Sequence, residues 1–403
     1  MVTDEDRATR SRRNRLFAAA AILLAAVNLR LAVTSVGPVL TEIRSGLGMS
    51  ATVAGLLTSV PVVCFASVGL AAPRLARRIG AARVILAGLV VLACGLALRP
   101  FAPGTVVFLL LSVVALAGIA VVNVLLPVIV KERFPAQVGA VTGLYSVALN
   151  IGATTAAAAT VPLSHAFGDD WRLGLACWAV LAVIAMPSWF AMARDRTTAP
   201  EPGQTATETQ GNPDDVRVSR SPVAWALAVY FGMQSTSAYV IIGWLPQIYR
   251  DAGISAEQAG VLFAVTSFLG VPLALALSAI AGRLRSQSGI AAALCVFGIA
   301  GYAGLWWSPA AAPWVWAVLL GVVNTAFPLV LTMIALRGRT PATVVRLSAF
   351  AQSVGYILAI PGPILVGYLH DRTGGWRVPL ALMIALMIPQ LAAGLAAGRD
   401  RQV

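Results

Sequence analysis

Long stretches without an ionised side chain, separated by short polar caps, dominate the pattern of this chain. Between Leu16 and Thr41, for instance, only Arg30 carries a charge. The runs show no period-two alternation, so they do not suit the strands of a membrane barrel, and most exceed the roughly 20 residues a helix needs to cross a bilayer. The pattern predicts twelve helices, at 16–42, 50–73, 82–99, 105–130, 137–162, 171–193, 222–249, 256–281, 288–307, 312–336, 344–369 and 377–397. Two long runs must be divided to reach that number. Residues 286–336 are broken by "WWSPAAAPWVW", whose prolines and tryptophans suit a turn at the membrane interface, and residues 100–130 begin with the turn "PFAPG". The expected fold class is an all-α, multi-pass membrane protein.

Composition agrees. Only 11% of the 403 residues are charged and 59% are hydrophobic, against about 25% charged in a soluble domain. The net charge of +13 does not indicate a nucleic-acid partner, because the basic residues sit in short caps between apolar runs. With twelve helices both termini share one side. That side carries 22 Lys and Arg, against six opposite (Arg44, Arg99, Arg172, Arg250, Arg372 and Arg377), with Arg30 left inside. The excess puts both termini in the cytoplasm, in a cell (inner) membrane. The N-terminal run lacks a small-residue cleavage site and is read as a retained first helix. Cys64, Cys94, Cys177 and Cys295 lie within apolar runs without CxxC spacing, so they are expected as buried apolar side chains, not as a disulfide or metal site.

Residues 194–222, "RDRTTAPEPGQTATETQGNPDDVRVSRSP", are polar, Pro- and Thr-rich, and read as a flexible linker. They divide the chain into a bundle at 1–193, a linker at 194–221 and a second bundle at 222–403. The two parts repeat. "LTEIRSGLGMSATVAGLL" (40–57) lies over "LPQIYRDAGISAEQAGVL" (245–262) at an offset of 205. "VVNVLLP" (121–127) matches "VVNTAFP" (322–328) at 201, and "HAFGDDWR" (165–172) matches "HDRTGGWR" (370–377) at 205. Such a parallel repeat implies two six-helix bundles facing across a central cavity. This organisation resembles the major facilitator superfamily across essentially the whole chain. Within it, "NLRLAVTSVGPVLTEIR" (28–44) and "GMSATVAGLLTSVPVV" (48–63) resemble the cyanate and nitroimidazole transporter family, whose first helix typically reads Asn-x-Arg-Pro followed by Thr-Ser-Val-Gly-Pro. The match covers Asn28, Arg30 and Thr34–Pro38; Leu31 replaces the family's proline, and Arg77 stands where the superfamily usually has an aspartate.

Arg30 carries the sharpest chemical question. It lies about fifteen residues into its helix, roughly 22 Å at 1.5 Å per residue, too deep to snorkel easily. Three partners answer a charge at that depth: a buried carboxylate, the carbonyls of a helix break, or a bound solute. Of the sixteen acids only Glu42 and Glu257 lie within predicted helices, each at a helix end, and Glu42 is about three turns from Arg30. An intramembrane charge is functional by default, and a planar donor fork suits a small carboxylate-like or linear anion or a nitro group. The resemblance implies that helices one, four, seven and ten line the cavity. Asn123 and Asn324, repeat equivalents each four residues before a proline, therefore join the candidate site, with packing between helices as the alternative. Ser235 is the repeat counterpart of Arg30, which adds Gln234, Ser235 and Tyr239; Asn28 and Thr34 flank Arg30 itself. Glu42 is the candidate for proton coupling. Asn150 and Gln352 are assigned to packing, His165 and His370 to outward loops, and the tryptophans near helix ends to interface anchoring.

The expected function is secondary transport of a small anionic or electron-rich solute by alternating access, by a monomer in the lipid bilayer without cofactor or metal. The rival is a multidrug or metabolite exporter of the same superfamily, although "GLYSVALNIGATTAAAATVPL" in helix five lacks the Gly-Pro-rich antiporter motif. No HExxH, P-loop or GxSxG supports an enzyme.

Overall fold

The computed structural model describes residues 4–194 and 218–401, and among these every regular element is helical. In chain order the helices are α1 (Asp4–Thr34, prolonged through Gly37–Val39 and Leu40–Leu47), α2 (Ala51–Ile79), α3 (Ala81–Leu98), α4 (Thr105–Arg133), α5 (Val138–Ala166) and α6 (Trp171–Ala176 and Ala179–Arg194). The second set is α7 (Pro222–Asp251), α8 (Ala256–Phe268 and Gly270–Arg283), α9 (Ser288–Trp307), α10 (Pro313–Val323 and Ala326–Arg337), α11 (Pro341–Ala359 and Pro361–Thr373) and α12 (Arg377–Ala397). Eleven are long and apolar enough to cross a membrane, and Ala51–Phe65 is the apolar first part of α2. The linker expected at 194–221 falls almost wholly on 195–217, outside the described residues.

The repeat is visible in local chemistry. Gly48 and Gly253, 205 residues apart, both hold positive φ (59° and 88°) at the turns preceding α2 and α8, a conformation that costs glycine nothing. Two residues later, Ser50 and Ser255 accept hydrogen bonds from the backbone N–H groups of Val53 and Gln258. Each therefore caps its helix by satisfying an otherwise orphaned donor.

Successive helices run in opposite directions. One end, the near end, therefore gathers the described starts and ends of the two six-helix sets; the far end carries the turns at 48–50, 102–104, 252–255 and 308–312. The apolar core has three parts. One lies within α1–α6 (Ile22, Leu89, Leu126, Trp189) and one within the second bundle (Tyr230, Phe231, Met333, Leu347). The third is shared by both bundles and includes Val36, Leu57 and Ala157 from the first, with Val240, Trp244 and Phe263 from the second. The bundles are thus fused at the far end. Backbone touches backbone there: a Cβ built on Gly55 would lie 2.3 Å from the Pro363 carbonyl oxygen, so only glycine admits that approach of α2 and α11.

Several expectations change. Helix one is not continuous, because Pro38 lacks the N–H that would carry the helix on, and the chain tightens into a turn between Thr34 and Gly37. Arg99 is not a far-end surface residue; it is buried, 1% exposed. His165 and His370 occupy last helical turns, not loops. Cys64 and Cys295 are buried, but Cys94 is exposed, and all four thiols are free. Trp307 and Trp314 are exposed near helix ends, whereas Trp171 is buried edge-on against Phe108.

Within the first bundle, a Cβ on Gly152 of α5 would stand 2.0 Å from the Val27 carbonyl of α1. Gly152→Val is expected to separate these helices at a cost of about 1–3 kcal/mol. Thermal unfolding of purified protein in detergent should show a lowered midpoint; an unchanged midpoint would contradict the packing described.

Candidate functional site

The site grows from Arg30. Its side chain is exposed although its helix neighbours Leu29 and Leu31 are buried. Its charge acts on the phenols of Tyr239 in α7 and Tyr356 in α11, and those two phenols act on each other. Arg30 thus faces the opposite bundle across the cleft. Among the described residues no carboxylate pairs with it and its guanidinium has no hydrogen bond. Tyr356 is held edge-on by Phe231, with ring centroids 4.9 Å apart at 90°, and Phe65 of α2 stands 6.5 Å away. The result is one cation from the first bundle and two hydroxyls from the second, with aromatic walls.

The two asparagines remain available to a ligand. Asn123 is exposed midway along α4 and Asn324 is half-buried; neither side-chain amide is hydrogen-bonded among the described residues. The prolines four residues on have a definite effect. Pro127 and Pro328 lack the N–H that would meet the Asn123 and Asn324 carbonyls. In α4 the helix continues, while α10 interrupts itself at Asn324–Thr325.

Other expected members turn away. Asn28 is 1% exposed, and its Nδ2 donates to the carbonyls of Leu24 (2.9 Å) and Leu181 (3.2 Å), tying α1 to α6. Two residues along a helix correspond to about 200° of rotation, which puts Asn28 on the side of α1 opposite Arg30. Thr34 is buried and donates to the Arg30 carbonyl at 3.0 Å. Gln234 donates to Ser235 at 3.0 Å, and both are buried. Asn150 and Gln352 make local bonds to Ser146 and Ser348.

Glu42 belongs to a different structure, a latch at the far end. Arg250 of α7 donates to both of its carboxylate oxygens, at 2.8 and 2.6 Å, and to the Pro38 carbonyl at 3.1 Å. Nearby, Asp371 of α11 accepts from the backbone N–H groups of Ala51 and Thr52 (2.9 and 2.7 Å) and from the Thr52 hydroxyl. A carboxylate of one bundle thereby caps a helix of the other, where the helix dipole favours negative charge. Arg44 stands 3.9 Å from Asp371, and His165 of α5 lies 3.6 Å from Glu257 of α8. His370 meets Trp376 at a tilt, with ring centroids 4.3 Å apart, beside Asp251.

Tyr356, Arg250 and Asp371 were not singled out in the sequence. Tyr356 offers one signal, an aromatic hydroxyl in the middle of an apolar run. The other two look like ordinary loop charges until the bundles are brought together.

Comparison with known proteins agrees with this architecture. The chain matches the Major Facilitator Superfamily over residues 22–358. It is 36% identical over 399 residues to the 2-nitroimidazole transporter of Escherichia coli, covering 98% of each chain. It is 32% identical over 372 residues to the cyanate transport protein CynX of the same organism, covering 91% of this chain and 94% of the relative. A bacterial homologue of the human lysosomal transporter Spinster, solved facing inward and occupied, superposes with a TM-score of 0.76 at 15% identity, covering 95% of this chain and 96% of the other.

The latch makes a prediction. Glu42→Gln removes the negative partner of Arg250 and is expected to cost about 1–2 kcal/mol of sealing, a roughly 5- to 30-fold shift towards opening. An impermeant maleimide should then label a cysteine at buried Val36 several-fold faster. Equal labelling rates would mean that the ion pair does not hold the far end shut.

Proposed function

Because the chain belongs to the major facilitator superfamily, we propose that this multi-pass membrane transporter carries a small anionic or electron-rich solute, a cyanate-like anion or a nitroimidazole-like compound, by alternating access. Arg30 is the counter-charge that the solute meets. The observation that carries this reading is the setting of Arg30: exposed in the cleft, with two phenols of the opposite bundle in electrostatic reach and no carboxylate partner among the described residues. A guanidinium in low dielectric attracts an anion strongly, and phenols supply neutral donors that orient it without competing for its charge. The solutes after which the two E. coli relatives are named support the same solute class.

Asn123 and Asn324 flank the solute path on α4 and α10, and Tyr239 and Tyr356 bound it on the second bundle. Asn28, Thr34, Gln234 and Ser235 support the site's shape through their own hydrogen bonds. Glu42, engaged by Arg250, serves the latch in preference to carrying a proton. The far end faces outward. Removing buried Arg99 from the six basic residues expected there and buried Arg337 from the 22 of the near end leaves five against 21, an excess that supports a cytoplasmic near end. The membrane is the cell's inner membrane.

The exporter reading would need a group in the cleft to meet a cationic drug, and all sixteen acids fall at helix ends, in the linker or near the termini.

Flux of labelled cyanate and of 2-nitroimidazole into proteoliposomes tests the proposal. Wild type is expected to carry at least one of them and Arg30→Gln neither. Tyr356→Phe should raise the half-saturation about 2- to 10-fold, the loss of one hydrogen bond to the solute. Transport of cationic dyes alone, unaffected by Arg30→Gln, would favour the exporter.

A further inference from the structure

A second guanidinium lies inside the protein, and the solute site just described does not use it. Arg99, at the far end of α3, is 1% exposed. One terminal nitrogen donates to the Ala32 carbonyl at 3.1 Å and to the Ser35 hydroxyl at 3.4 Å, at the point where α1 breaks. Its Nε has no hydrogen-bond partner, and among the described residues no carboxylate pairs with it. Of five donors that a guanidinium presents in a fixed fork, these contacts use only part, and both acceptors are neutral.

Arg99 also lines a cavity. Its walls come from α1 (Val33, Gly37), α2 (Thr58, Pro61) and, on the opposite side, α7 (Ile242, Gly243). The free volume is about 20 Å³, enough for about one water molecule. The cavity is small because the bundles are pressed together beside it: a Cβ on Gly37 would lie 2.5 Å from the Ile242 carbonyl, and one on Gly243 would lie 2.3 Å from Thr58. Since one wall belongs to the second bundle, withdrawing α7 would widen this space and uncover Arg99 from the far end. Along α1, Val33 stands one turn beyond Arg30, about 5 Å, so the two guanidinium groups flank the same short stretch of helix on either side of the seal.

We propose that Arg99 is a second anion-binding station, filled from the far end when the bundles part there and placed to pass the anion on to Arg30. This rests on the anion reading above. The bound anion takes up the donors that Ala32 and Ser35 leave free. In the sealed state the break in α1 supplies neutral acceptors in its place, so the charge is never left wholly unmet.

The test is zero-trans flux of labelled cyanate, nitrate and 2-nitroimidazole from each face of proteoliposomes, with oppositely oriented molecules silenced by an impermeant maleimide at an introduced near-end cysteine. Arg99→Gln is expected to raise the far-face half-saturation for the anion carried by about tenfold or more, leaving the near-face value within about twofold. Arg99→Lys, which keeps the charge but not the donor fork, should raise the far-face value by less than Arg99→Gln does and leave the near-face value within about twofold. Equal changes on both faces, or no change in Arg99→Gln, would reduce Arg99 to a cap on broken α1. If Arg99→Gln does not fold, protection of wild-type Arg99 from phenylglyoxal by cyanate or nitrate, read by mass spectrometry, decides the matter: slower modification supports the station and an unchanged rate overturns it. Wild type that carries none of the three solutes removes the anion reading and the station together, whereas wild-type flux with symmetrical mutants removes the station alone.

Discussion

A charge inside a low-dielectric interior must be met, and the organisation of this protein follows from how its positive charges are met. At the far end two arginines find carboxylates: Arg250 takes Glu42, and Arg44 approaches Asp371. Arg30, facing the cleft, and buried Arg99 have phenols, a hydroxyl and carbonyls around them instead. Buried Arg337, at the near end, bonds to Gln287 and to two carbonyls and stands 3.8 Å from Asp400. Neutral acceptors lower the cost of burying a guanidinium without cancelling its field. Along the proposed solute path the charges of Arg30 and Arg99 leave the space between the bundles electropositive, while the described acids stand at the helix ends.

The far end works by different means. Its contacts combine an apolar core shared by both bundles, main chain against glycine, and carboxylates placed where they cap or clamp the other bundle. Each of these forms only when the bundles are together. Apolar surface gives the closed arrangement its stability, and the polar contacts fix its register. At mid-depth the two bundles present side chains instead, among them Arg30, Tyr239 and Tyr356, and the proposed solute site lies there.

Most of the architecture could be read from sequence because it depends on local rules. Charge-free runs mark the spans, and the offset of 205 brings Gly48 and Ser50 onto Gly253 and Ser255, which do the same capping work. Arg30 stood out because a lone charge in a long apolar run has few explanations. The shortfalls share a cause, since they concern where a side chain points or what the other bundle brings. Asn28, two positions from Arg30, has the right chemistry on the wrong side of its helix. Arg99 sits at the end of an apolar run and looks like a surface cap; only the broken α1 beside it, with carbonyls to offer, explains its burial. Tyr356 and Asp371 acquire meaning from α1 and α2, more than 300 positions earlier in the chain. Such pairings leave no trace in local periodicity.

The glycines of the sealed end separate two kinds of evolutionary freedom. Where Gly55 meets the Pro363 carbonyl and Gly37 meets that of Ile242, closure is written in main-chain shape, which every amino acid shares, with an absent side chain as the only requirement. The walls around Arg30 are written in side chains. On the proposed reading, substitutions at positions such as Tyr239, Tyr356 or Asn123 would redirect the protein to a new solute while the closing surface stays as it is. A lineage built on this plan can diversify its cargo without reinventing its door.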